Sequence, residues 1–222
     1  MGGNDLAFSE VVKFCLEVDD CTNQPFDPFH EDTPDRPLDE WALAKAASVT
    51  ARLAGDYERL RGDYPRPARI VVLGYPYLFP PGEPGVSFSD CDTILRKVST
   101  KERTRLRELQ DVLTRSLYET ATAAGIEFVS PQAVWDGHEP CGDRGQYTNA
   151  LNPVVFDGSF HPNRSGQLAY ATLLACYLRS TDPERASDGR VLLPWETGVT
   201  GAAPAPGTLA RPVPCPAAEP GP

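Results

Sequence analysis

Basic residues are in short supply in this chain. Lys and Arg together number 21 against 31 Asp and Glu, a formal charge of −10 over 222 residues. No basic cluster stands out, which argues against nucleic acid or an anionic membrane surface as the main partner. Long apolar runs are lacking too. None approaches the ~20 residues of a membrane span, so no transmembrane segment is expected. Met1 is followed directly by Gly2-Gly3-Asn4-Asp5, with neither the charged nor the apolar region of a signal peptide. Histidine is scarce, three in all. There is no Cys-x-x-Cys, no histidine at finger spacing from a cysteine and no carboxylate–histidine cluster, so neither a metal nor a cofactor is implied.

Cysteine is plentiful by comparison: six, in a chain with a single methionine. Cys15 and Cys21 bracket a short acidic loop that a bond between them would close. Cys91 and Cys141 both lie in Gly/Pro-rich, loop-like sequence, where a staple is useful. These read as two disulfides and imply an oxidising, extracellular compartment. Cys176 falls within an apolar helical run and reads as a buried thiol. Cys215, in a Pro-rich tail, is open between a free thiol and a bond to Cys176.

The chain is long enough for one domain. A short helix is expected over Asp5 to Glu17, directly after the Gly-Gly-Asn-Asp turn. A loop rich in Asp, Pro and Thr follows. Leu38 to Arg61 has the broad apolar face of a helix, stopped by Pro65 and Pro67. Ala68 to Leu73 is a mostly apolar run of the kind found in buried parallel strands. Thr100 to Ala124 reads as a second long helix, with Ser99 or Thr100 as N-cap and Gly125 as its stop. Ile126 to Val129 reads as a second strand, Pro131 to Pro153 as irregular, and Pro162 to Leu178 as the last helix. From Thr200 onward Ala, Pro and Gly dominate, the composition of a disordered tail. Alternating helices and strands predict an α/β domain with a parallel sheet. Two strands are too few for such a sheet to stand alone, so strands are expected to be missing on the N-terminal side.

Acyl transfer needs a nucleophile, a base, a group that orients the base, and donors for the oxyanion. His161 is the best base candidate, because it ends a loop just before a helix. His30 and His138 lie in polar loops without that context. Asn4 is the oxyanion candidate, since a side-chain amide N–H can donate to a developing alkoxide. Gly2 and Gly3 would allow a tight turn close to substrate. Trp135 and Tyr147 are open between pocket lining and core packing. Tyr75 and Tyr77 follow a strand end, where α/β proteins place their sites.

Gly-Gly-Asn-Asp-Leu-Ala-Phe near the start, Cys15 and Cys21 after it, and Ser-Phe-His-Pro-Asn-x-x-Gly-Gln-x-Ala-Tyr at 159–170 together resemble the SGNH (GDSL) hydrolase family, most of all its secreted actinobacterial lipase/esterase branch. The resemblance implies a three-layer, flavodoxin-like sandwich over residues 1–180, with 181–222 as an extension. It implies a small-molecule or lipid ester as substrate. His161 takes the place of the catalytic base, and Asn4 with Gly3 that of the oxyanion and substrate-binding block. The two cysteine pairs match two of that branch's three disulfides. The orienting group is open between the Asp157 carboxylate and the Gly158 main-chain carbonyl. The family's nucleophile lies in a Gly-Asp-Ser block, which this chain lacks, and no Gly-x-Ser-x-Gly elbow replaces it. The expectation is therefore the C-terminal part of an ester hydrolase, inactive alone, with the nucleophile segment lost from the gene boundary or supplied by another chain. The alternative is a non-catalytic remnant or binding module on the same scaffold.

Overall fold

The structure, a computed structural model, describes residues 6–28, 36–63, 69–80, 98–140, 142, 144–149 and 159–180. The Asn4 and Gly3 block, Asp157, Gly158, Cys91, Cys141 and the 181–222 extension lie outside the described residues.

The first helix, α1, spans Phe8–Glu17, three residues later than the sequence reading, because Ala7 takes a left-handed conformation and turns the chain. It buries Val12, Cys15 and Leu16. The expected bond between Cys15 and Cys21 is present and ties its last turn to the 3-10 turn Cys21–Asn23. Helix α2 covers Leu38–Asp63. Strand β1 is Val71–Leu73, α3 is Thr100–Ala123 and β2 is Glu127–Val129. A single turn, α4, Gln132–Trp135, falls in the stretch expected to be irregular. Helix α5 runs over Arg164–Ser180. Cys176 on α5 is disulfide-bonded, with its partner outside the described residues. This corrects the buried-thiol reading: an apolar helical setting does not by itself distinguish a thiol from half of a disulfide.

Both ends of α3 are closed by local chemistry. The Ser99 side chain accepts from the Glu102 N–H, and the Glu102 carboxylate accepts from the Ser99 N–H at 2.7 Å, a reciprocal capping box. At the other end Gly125, at φ 66°, lets its own N–H reach the Thr122 carbonyl and the Ile126 N–H reach the Ala121 carbonyl. These two bonds satisfy carbonyls that a helix end leaves free. The Arg61 guanidinium also caps the Gly125 carbonyl, joining the end of α2 to the end of α3.

β1 and β2 pair in parallel, Val72 beside Phe128, so the predicted parallel alignment holds. α2 and α3 pack together beside them through Val49, Leu53, Tyr57, Leu117 and Ala121, which meet Ile126 and Phe128. α5 runs against the strand direction. Its Tyr170 hydroxyl donates to the Gly74 carbonyl past the end of β1, and its Tyr177 hydroxyl donates to Glu127 at the start of β2. The Arg69 guanidinium grips the same Glu127 carboxylate at 2.9 and 2.5 Å and, as the main cause, lowers its pKa. A second apolar cluster joins α1, the disulfide, Phe26, Leu38, Phe79 and Phe160. No helix among the described residues is long and apolar enough to cross a membrane.

Glu102 has a second task. Its Oε1 accepts the Cys21 N–H at 2.9 Å, so one buried carboxylate holds both the α3 cap and the disulfide turn. Replacing Glu102 with Ala is expected to cost about 2–3 kcal/mol by stranding two backbone donors, against about 1 kcal/mol for Ser99→Ala. Urea unfolding of the two variants checks the difference.

Candidate active site

The stretch around His161 owes its shape to pairing between two short segments. Residues 146–149 lie antiparallel to 160–163, with a bridge between Thr148 and Pro162. The Asn149 N–H donates to the His161 carbonyl at 2.8 Å, and the Phe160 N–H donates to the Asn149 carbonyl at 3.2 Å. Phe160 has φ 63°, a conformation that costs a non-glycine residue about 1–2 kcal/mol. It is held there with its ring 7% exposed in the apolar cluster. The chain therefore reverses at Phe160 and leaves the next side chain, His161, exposed.

Asn163 locks this arrangement. Its Oδ1 accepts the Gly166 N–H at 3.0 Å, capping α5, while its Nδ2 donates to the Gln146 carbonyl at 2.8 Å and the Thr148 carbonyl at 3.1 Å. Gly166 is required by proximity: a Cβ there would run into the Tyr147 carbonyl. Tyr170 packs on Trp135 with ring centroids 4.5 Å apart. The spacing His-Pro-Asn-x-x-Gly-x-x-x-Tyr is thus a packing code that presents one imidazole.

Of the expected base, orienting group and oxyanion donors, His161 is the one the described residues contain. Trp135 is fully buried against Tyr147 and Tyr170, so these aromatics serve the core. His138 stacks on Tyr147 at 3.8 Å, and its Nδ1 lies 2.6 Å from the Gly145 carbonyl, which leaves it a structural role. Tyr75 and Tyr77 do line a cavity of about 480 Å³ that His161 also borders.

The residues shaping that cavity were missed in the sequence. Arg107, Gln110, Asp111 and Thr114 form a polar stripe along α3. The Gln110 side chain accepts from the Leu78 N–H and donates to the Pro76 carbonyl. Arg107 donates to the Phe79 carbonyl at 2.5 Å and to the fully buried Glu139 at 3.1 Å, with its guanidinium 3.6 Å from the centre of the Tyr77 ring. The Tyr77 hydroxyl donates to Asp111 at 2.6 Å, and Gln132 donates to Asp111 and Thr114. The i, i+3, i+4, i+7 spacing of polar residues on a helix that packs on both faces was the available signal.

Burial is the main cause that raises the pKa of both Asp111 and Glu139, against the opposing pull of Arg107. The Tyr77 hydroxyl is raised as well, first by burial and then by its bond to Asp111. A carboxyl raised in the folded state contributes stability that is complete below its unfolded pKa and is lost as pH rises through the folded one.

Taken together, the fold is an α/β arrangement with a histidine presented at a cavity on its rim. No protein-family model matches the chain, and no curated protein matches it. Solved structures do share the fold. The extracellular lipase from Streptomyces rimosus superposes with a TM-score of 0.57 at 22% identity, over 79% of this chain and 65% of that one. Phospholipase A1 from Streptomyces albidoflavus NA297 gives 0.55 and 22%, over the same shares. The chain thus spans just under two thirds of the length of either protein.

Two outcomes follow. Asn163→Asp keeps the α5 cap but turns a carboxylate toward two carbonyls, and is expected to cost about 2–3 kcal/mol at neutral pH. That loss should shrink on acidification, because a protonated acid can again donate; urea midpoints across pH measure it. Asp111→Asn, which still accepts from Tyr77, is expected to flatten the decline in stability from acid to neutral pH. Thermal unfolding at several pH values compares it with the parent.

Proposed function

We propose that this chain carries the base half of a serine ester hydrolase of SGNH type, on a three-layer sandwich whose remaining strands come from outside the 222 residues. The observation that carries the reading is His161: an exposed imidazole, fixed by the reversal at Phe160 and the Asn163 latch, at the edge of a largely apolar cavity. The fold shared with two Streptomyces lipolytic enzymes supports it. The chain contains no Gly-Asp-Ser and no Gly-x-Ser-x-Gly, so the serine is assigned to a segment beyond it.

In the assembled site the serine Oγ attacks the ester carbonyl while His161 takes its proton. The same imidazolium then protonates the departing alcohol, and water repeats the sequence to release the acid. Asn4, with the Gly3 backbone beside it, donates to the oxyanion. Asp157 or the Gly158 carbonyl holds the Nδ1 proton so that Nε2 faces the serine. No metal or cofactor enters. The Cys15–Cys21 bond and the likeness to an extracellular lipase support a secreted protein.

Turnover of p-nitrophenyl esters tests the assignment. Residues 1–222 alone are expected to show none above background. Adding the upstream segment with its Gly-Asp-Ser block is expected to restore it, and His161→Ala should then lower kcat at least about 100-fold. Robust hydrolysis by residues 1–222, abolished by His161→Ala, would refute an external nucleophile.

A further inference from the structure

We propose that Ala42 and Ala46 on α2 set the length of acyl chain that the cavity beside His161 accepts. The inference rests on His161 acting as the base of an ester hydrolase. At about 480 Å³ the cavity falls within the size range of small-ligand sites. Thr148, Ser159 and His161 are among its lining residues, and the buried Thr148 Oγ1 has no hydrogen-bond partner among the described residues. Rotation about the Thr148 Cα–Cβ bond exchanges hydroxyl for methyl, so an ester oxygen seated beside it can become its partner.

Three other polar side chains of the lining are already engaged. The Gln110 amide serves Leu78 and Pro76, the Tyr77 hydroxyl serves Asp111, and the Tyr170 hydroxyl serves Gly74. Along the helices the wall is hydrocarbon, with Leu106, Leu109 and Leu113 of α3 sharing it with α2. A ligand that suits this lining combines an oxygen-bearing group with an apolar chain. Ala42 and Ala46 stand four residues apart, on one face of α2, and are the smallest side chains in the lining. Any larger side chain there takes volume from the space a chain would fill.

Straight-chain fatty acids from butyrate to palmitate, titrated calorimetrically into the 222-residue protein, provide the test. Affinity is expected to rise about fourfold per methylene, then level off once the chain fills the cavity. Ala42→Leu and Ala46→Leu should each move that plateau to shorter acids and leave the shortest binders unchanged. Leu109→Ala, which enlarges the space without overpacking, should move it to longer ones. Thr148→Val should weaken all lengths alike and leave the plateau in place. Ala47→Leu, at an exposed position on α2, should change nothing. A plateau indifferent to Ala42, Ala46 and Leu109 in folded variants, or no binding at all, overturns the gauge whatever the hydrolysis assay shows. A plateau that shifts as described supports the gauge, and does so even if the assembled protein fails to cleave esters, which would count against the hydrolase reading alone.

Discussion

The Asn163 amide decides where His161 stands. Its Oδ1 completes the first turn of α5, and its two Nδ2 hydrogens are both spent on carbonyls of the 146–149 segment. A side chain used to capacity in this way has one orientation, and it transmits that orientation to its neighbours. Helix, paired segment and histidine loop become a single unit, registered against the strands by Tyr170 on Gly74. Gly166 permits the unit to close, because a Cβ there would hold α5 away from the Tyr147 carbonyl.

Another part of the cavity wall is organised by different means. The segment leaving β1 has no regular structure, yet its carbonyls and N–H groups are bound by α3: Pro76 and Leu78 by Gln110, Phe79 by Arg107. This substitutes side-chain hydrogen bonds for a ladder and gives a loop the fixity of a strand. Arg107 and Glu139 are costly to bury. They are better understood as specifying one arrangement of three segments than as a source of net stability.

Much of this architecture could be read from the chain. α2 announces itself through a broad apolar face, α3 through a cap at Ser99 or Thr100 and a glycine stop, and the strands through short, mostly apolar runs. The helix α4 could not be read, since one turn carries no period. The start of α1 shifted because nothing in Ala7 signals a left-handed residue. The second role of Glu102 depends on a partner 81 positions away, and the Arg107–Glu139 pair spans 32; local pattern is blind to both. At the site, the motif around His161 marked the one histidine that the described residues present at the cavity. What the motif concealed was the division of labour within it, with Phe160, Asn163 and Gly166 each solving a backbone problem that exists only once 146–149 is in place.

Phe160 carries a lesson about portability. Its strained backbone is tolerated because its ring is anchored among Val12, Leu16, Leu38 and Phe79. The reversal that presents the imidazole is thus underwritten by residues from distant parts of the chain. Transplanting the Ser-Phe-His-Pro-Asn stretch onto a foreign scaffold would move the letters without the socket. On such a host the histidine would be a loop residue like any other, and a search that matches the motif alone will collect chains in which it does no chemistry.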